Sequence, residues 1–171
     1  DGKGNPHISY LRLVPLANIK LMYAQKTGGT GAVEIADNSP IVGYHTSLAV
    51  DNQDMPHVSY QAFQSGDLKY AHRSGGTWLV ETVDAPGTVG LYTSIAIDSQ
   101  GNPHISYHDA TEAGLKYARK SAGNWTTECV FFPLEFRGQY SSLALDAEDN
   151  PHITYSRERL RYAVKTAGTW T

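Results

Sequence analysis

One phrase is spelled four times along this chain: "DGKGNPHISY" from Asp1, "DNQDMPHVSY" from Asp51, "DSQGNPHISY" from Asp98 and "DAEDNPHITY" from Asp146. Successive starts lie 50, 47 and 48 residues apart. A fixed period of this length means one supersecondary unit used repeatedly, each copy burying its apolar surface against the next. The 171 residues read as one domain of four units, 1–50, 51–97, 98–145 and a partial 146–171. What recurs is framework, so function is sought in what changes between copies.

Each unit divides into short runs of strand type. In the third copy these are "YTSIAI" (92–97), "PHISY" (103–107), "LKYAR" (115–119) and "WTTECV" (125–130). Gly, Asn, Asp or Pro bounds every run. No segment repeats apolar residues at helical spacing over helical length, which predicts an all-β fold. The "SLAV", "SIAI" and "SLAL" runs are nearly continuously apolar, as a strand covered on both faces must be. In "PHISY", Ile and Tyr share one face of the pleat and His and Ser the other, so that second face must tolerate polar groups. The intervening "DxxGNP" is a turn, its Asp accepting backbone donors and its Pro opening the next strand.

The pattern Y-x-S-L-A-L-D-x-x-G-N-P-H-I-S-Y, followed by L-K-Y-A, G-x-W and E-x-V, resembles the tandem β-propeller repeats of secreted or cell-surface proteins of bacteria and archaea. Through "A-x-D-x-x-G-N" it is distantly similar to the NHL class. The resemblance covers the whole chain and implies a propeller segment of about 3.5 four-stranded blades located outside the cell. In that order the strands are A at the axis, then B, C and D at the rim, and the chain reads BCD, ABCD, ABCD, ABC plus a stub of D. Open blade faces and unpaired edges imply a partner, either a further copy or copies (a dimer at the simplest) that complete a ring, or further propeller sequence.

Bulk composition narrows the partners. A net charge of -3 with 18% charged residues and no like-charge run gives no footprint for nucleic acid. No apolar stretch approaches the roughly 18 residues of a membrane helix, so insertion into a membrane is not expected. Cys129 is the one cysteine and excludes an intrachain disulfide. Asn124 opens an Asn-x-Thr triplet that accepts a glycan in a eukaryotic secretory route. Asp1 is not an initiator Met and "GTWT" reads as the start of a strand, so both ends look cut.

Several chemistry-bearing residues recur once per unit and are therefore read as framework. His7, His57, His104 and His152 follow Pro in each copy. As a metal ring they would have to converge, yet copies on B strands of neighbouring blades stand more than ~10 Å apart by sheet-packing distance. Zinc needs ligands about 2 Å away. Each His is expected to hydrogen-bond a neighbouring strand or its Asp turn, with no metal and no cofactor. Trp78, Trp125 and Trp170 follow Gly-rich turns where the first unit has Gly31, and are expected to staple the rim strand onto the blade. The "GTW" is similar to part of the Asp-box of sialidase-type propellers, without that motif's Asp. Glu34, Glu81 and Glu128 recur three residues later and Tyr23, Tyr70, Tyr117 and Tyr162 recur in strand C. With a nearby Arg or Lys, Trp and Glu are the residue types that a fucose-lectin propeller places between blades. Read from the residues alone they are cross-strand pairs.

The connections divide into two kinds. A–B and C–D turns keep their spelling, whereas B–C loops ("LRLVPLANI", "QAFQSGD", "HDATEAG", "SRER") and D–A loops differ in every copy. Strands alternate in direction, so all the variation emerges on one face, the usual placement of a binding site on a rigid frame. Near the axis of that face the aligned positions are His45, Tyr92 and Tyr140, preceded by Tyr44, Leu91 and Gln139. Around them His108, Asp109, Glu112, Glu135, Arg137, Arg157 and Arg159 are expected in loops. His45, Tyr92, Tyr140, His108, Asp109 and Arg137 form the candidate ligand-binding set. Rings beside polar groups suit a sugar or a peptide.

For catalysis the sequence offers little. Ser47, Ser94 and Ser142 recur inside A strands, where a hydroxyl bonds neighbouring backbone. Glu112 with Asp109 is a plain loop pair. Tyr140, Arg137 and Glu135 alone approach a glycosidase cluster. The expectation is a non-catalytic module binding carbohydrate or protein. The alternatives are a self-assembling structural subunit and, third, a glycoside-cleaving enzyme.

Overall fold

The computed structural model describes residues 1–13, 19–131, 139–156 and 159–171. Fifteen strands are assigned among them and no helix. The first sheet holds β1 (His7–Arg12), β2 (Lys20–Thr27) and β3 (Thr30–Asp37). The second holds β4 (Val42–Val50), β5 (Pro56–Ala62), β6 (Asp67–Ser74) and β7 (Thr77–Asp84). The third holds β8 (Leu91–Ile97), β9 (Pro103–Asp109), β10 (Gly114–Ser121) and β11 (Asn124–Phe131). The fourth holds β12 (Gln139–Leu145), β13 (Pro151–Ser156), β14 (Leu160–Thr166) and the two-residue β15 (Thr169–Trp170). All neighbours are antiparallel and in chain order. The A strands β4, β8 and β12 lie side by side, β8 touching both others. The four sheets are blades around one side of a β-propeller.

The core is distributed over three joints rather than gathered in one place. At the first joint Leu21, Tyr23 and Ala36 of blade one meet Val42, Val58, Tyr60 and Ala71 of blade two. Equivalent residues repeat at the second joint (Leu68, Tyr70 and Val83 against Ile105, Tyr107 and Ala118) and at the third (Leu115, Tyr117 and Val130 against Ile153, Tyr155 and Ala163). The Ile and Tyr of "PHISY" therefore face the preceding blade. Its His and Ser lie on the opposite face, where the His finds partners within its own blade and the Ser a hydroxyl of the following blade. Truncating a buried Ile to Ala at such a joint costs about 2–5 kcal/mol.

The polar face of strand B is satisfied by a relay built once per blade. His104 sits between Asp98 Oδ2, 3.3 Å from its Nε2, and the Tyr117 hydroxyl, 2.5 Å from its Nδ1. The copies at Asp1–His7–Tyr23, Asp51–His57–Tyr70 and Asp146–His152–Tyr162 have the same arrangement. The recurring histidines thus tie the A–B turn to strand C, bonding both the Asp turn and the neighbouring strand. Desolvation lowers the pKa of His7, His57 and His104, so each is neutral at pH 7, its Nε2–H donating to Asp and its Nδ1 accepting from Tyr.

Between blades, hydroxyls lace the strands nearest the axis. Thr46 donates to Ser9 and Thr93 to Ser59, both at 2.8 Å, and Ser106 and Ser141 hydroxyls lie 2.9 Å apart. Ser47 accepts from the Ile95 backbone N–H and Ser94 from that of Leu143. Those two serines bond backbone of the following blade, as expected for them.

Candidate functional site: an aromatic arc at the axis

The site begins with a fault in strand A. In β4, β8 and β12 the register against strand B slips between Tyr44 and Ser47, Leu91 and Ser94, and Gln139 and Ser142. Each slip is a bulge, and the residue within it stands in the left-handed region: His45 at φ 51°, Tyr92 at 52° and Tyr140 at 51°. Glycine is the ordinary occupant of that region, and a bulky side chain costs about 1–2 kcal/mol there. Two neighbours hold the distortion in place. Gly43 and Gly90, also at positive φ, press against the preceding blade, where a Cβ would lie 3.1 Å from Leu21 Cα and 2.9 Å from Leu68 Cα. On the other side Thr46, Thr93 and Ser141 are the same hydroxyls that bond the preceding blade.

The three bulges throw their side chains together. His45 and Tyr92 rings have centroids 4.7 Å apart, and Tyr92 and Tyr140 rings 4.4 Å apart. They form an arc across three blades in an open, shallow cavity of ≈ 340 Å³ lined by His45, Thr46, Tyr92, Thr93, Tyr140 and Ser141. Tyr140 and His45 are exposed and Tyr92 is half-buried between them. Desolvation, then hydrogen bonding with Tyr140, raises the pKa of Tyr92, and desolvation lowers that of His45. The arc is thus uncharged at pH 7. A neutral row of rings edged with hydroxyl and imidazole groups can cover an apolar patch of a ligand and orient its polar edge.

The other expected site residues fall elsewhere. His108 and Asp109 were expected in a loop, yet β9 continues through them, pairing with Leu115 and Gly114. Both are buried. Asp109 Oδ1 accepts the backbone N–H groups of Thr111 and Glu112, each at 2.9 Å, while Lys116 lies 3.4 Å from Oδ2. Asp109 is a turn cap. His108 packs behind Tyr92 at 6.4 Å between centroids and backs the arc from beneath. The polar spelling "HDATEAG" hid this because the cover comes from the D–A connection of the preceding blade: Ala110 N–H donates to Thr88 O and Thr88 N–H to Thr111 Oγ1. Arg137, Glu135 and Arg157 lie outside the described residues. Glu112 and Arg159 are exposed and make no part of the arc. On the same face Phe63 stacks on Tyr44 at 5.0 Å, an exposed ring that the residue pattern did not single out.

The Trp and Glu residues extend a second expectation. They do pair across strands C and D of their own blade, Glu81 opposite Tyr70 and Trp78 opposite Arg73, with the same register in the other blades, and their side chains also bridge adjacent blades. Trp78 Nε1 donates to Glu34 at 3.0 Å, Trp125 to Glu81 at 2.8 Å and Trp170 to Glu128 at 3.2 Å. Arg73, Lys120 and Lys165 pair with the same three carboxylates. Each Trp also meets the Tyr of the preceding blade edge-on, at 5.1–5.2 Å. A spacing along one chain reveals which residues repeat but not which blade they reach.

No protein-family model and no curated protein matches the chain. Solved structures do. A lectin from Aleuria aurantia, bound to a fucosyl-GlcNAc, aligns with 98% of this chain and 55% of its own at TM-score 0.70 and 13% identity. A fucose lectin from Kordia zhangzhouensis aligns with 74% of this chain and 95% of its own at TM-score 0.50 and 14% identity. A polysaccharide lyase acting on ulvan aligns with 98% of this chain and 52% of its own at TM-score 0.62 and 14% identity. The chain therefore spans about half the length of the Aleuria lectin and of the lyase. At these identities the likeness is one of fold, and the fold hosts binders and enzymes alike.

Proposed function

We propose that this chain is a non-catalytic carbohydrate-binding module, acting outside the cell or at its surface, and that the arc of His45, Tyr92 and Tyr140 is its contact surface. One observation carries the reading: three bulky residues occupy the same strained bulge in three blades, and their rings adjoin in solvent. Strain at a repeated position is retained where it aims a side chain that a relaxed strand would turn elsewhere. The arc's neutral character fits an uncharged sugar ring better than an acidic or basic peptide. Two lectins among the structures of similar fold lend weight to a sugar as ligand. Single contacts of this openness are weak, and affinity would accumulate through several rings at once.

A glycan array tests the proposal. The chain should give discrete signals that disappear in the double variant Tyr92→Ala, Tyr140→Ala, while a fluorogenic glycoside is left uncleaved. Turnover of such a glycoside would transfer the chain to the enzymes.

A further inference from the structure

On the face of the varied loops the first and second joints share one frame and differ in one charge. At the second joint the buried Asp84 accepts the Tyr107 hydroxyl at 2.6 Å and the Lys116 ammonium at 2.7 Å, both on Oδ2. That ammonium also lies 3.4 Å from Asp109 and 5.8 Å from the centre of the Tyr107 ring. Burial alone would lower the Lys116 pKa, but the bond and charge of Asp84, together with Asp109, outweigh it and raise it. At the first joint Asp37 takes the place of Asp84 and Tyr60 that of Tyr107, again at 2.6 Å. The backbone bond from Ala110 to Thr88 likewise recurs as one from Phe63 to Ile41. Lys69 aligns with Lys116, yet Ala62 stands where Asp109 would hold it. The Lys69 ammonium turns instead to Asp67 at 3.4 Å and Thr82 at 2.5 Å, while that of Lys20 bonds the carbonyls of Asn38 and Ser39. Asp37, 6% exposed, accepts the Tyr60 hydroxyl and the Ser39 N–H, and among the described residues no cation lies within ion-pair distance of it.

Beside Asp37 the first joint opens into a cavity of ≈ 340 Å³. Pro40 and Gln64 line it, whereas their aligned residues, Gly87 and Thr111, close the second joint so tightly that a Cβ on Gly87 would lie 2.2 Å from Thr111 Oγ1. Val42, Ala62 and Val80 supply apolar wall. A carboxylate offers roughly four lone-pair sites and is costly to bury without a countercharge, and Asp37 meets two donors and no cation. We propose that this cavity binds a protonated primary amine on a short aliphatic or sugar-ring carrier, the ammonium resting on Asp37 as the Lys116 ammonium rests on Asp84. The apolar wall receives the carrier, and the Tyr60 ring takes the part that the Tyr107 ring plays beside Lys116. The chain itself thus displays, one blade along, the interaction that the ligand makes. The cavity shares no lining residue with the aromatic arc, and the proposal stands whether or not the arc binds sugar.

Titration of the isotope-labelled chain at neutral pH with butylamine and with glucosamine, read from amide shifts in NMR spectra, tests it. Each amine is paired with an uncharged counterpart, butanol and N-acetylglucosamine. The amines should shift the amides of Ser39, Gln64 and Ser65 saturably, and the uncharged counterparts should leave them in place. The amides of Thr93 and Ser141 report on the arc separately. Binding of either amine at the cavity supports the proposal, and the tighter of the two tells whether a linear chain or a sugar ring carries the group. Asp37→Asn keeps the shape of the side chain and should weaken amine binding at least about tenfold. Lys69→Met keeps the aliphatic stem, removes a like charge from the wall and should bind the amine more tightly. Cavity amides that do not move, equal shifts from the uncharged counterparts, a folded Asp37→Asn chain that binds like the parent, or weaker binding by Lys69→Met would each overturn the proposal.

Discussion

At the scale of single residues, the relay of Asp, His and Tyr shows how much the surroundings decide the worth of one hydrogen bond. The 2.5 Å bond from Tyr117 to His104 is buried, whereas that of equal length from Tyr162 to His152 is exposed. Tyr117→Phe leaves a buried imidazole acceptor without its donor and should destabilise the fold by about 1–3 kcal/mol. Tyr162→Phe lets water replace the donor and should cost less than about 1 kcal/mol, both read from urea denaturation. The same relay sets a pH dependence. His57 and His104 have pKa values below the ordinary 6.5 through burial, so between those values the unfolded chain binds protons that the folded chain does not. Stability then falls as pH drops below about 6.5. Burial alone would raise the Asp98 carboxyl, but hydrogen bonds from Asn102, His104 and Gln100 outweigh it and bring it down to about 2. Its contribution is lost as pH falls from about 4 toward 2. Melting temperatures measured from pH 8 to pH 3 should hold down to about pH 6.5 and fall below it, and a His104→Gln variant should flatten the upper part of the decline.

At the scale of elements, the strands and the order of their pairing were legible in the repeat, since a phrase written four times fixes its own boundaries. The segregation of varied loops to one face followed from strand alternation alone. Two things were not legible. The bulge in strand A leaves no compositional mark, because "GYHTS", "GLYTS" and "GQYSS" read as ordinary strand entries. The burial of His108 and Asp109 depends on a connection more than twenty residues earlier crossing over them, which polarity along the strand cannot reveal. Gly43 and Gly90, each two residues before a bulged side chain, are weak points of the element. Gly90→Ala drives a methyl group to 2.9 Å from the Leu68 backbone, and that backbone cannot rotate away as a side chain would. This variant should lose about 1–3 kcal/mol and disturb the Tyr92 and Tyr140 ring resonances in proton NMR spectra, while those of Trp170 stay in place.

At the scale of the whole molecule, core and site obey different logics. The joints between blades repeat an apolar core with polar links around it, from the Trp–Glu bridges at the rim to the hydroxyl laces near the axis. The arc is repeated too, but it sets bulky aromatic residues in left-handed backbone and brings their rings together at the surface. A structural purpose would favour Gly at those bulges. Replacing Tyr140 by Gly relieves the left-handed strain of about 1–2 kcal/mol and gives back about 0.5–1 kcal/mol in unfolded-state entropy, leaving stability within about 1 kcal/mol of the parent. Titration calorimetry of the chain with its strongest array sugar, run on the parent and on Tyr92→Gly with Tyr140→Gly alongside their melting curves, therefore tests the central claim most directly. The account predicts that binding disappears while the melting temperature is unchanged or raised. Full binding by the variant, or a collapse of its stability, would contradict it.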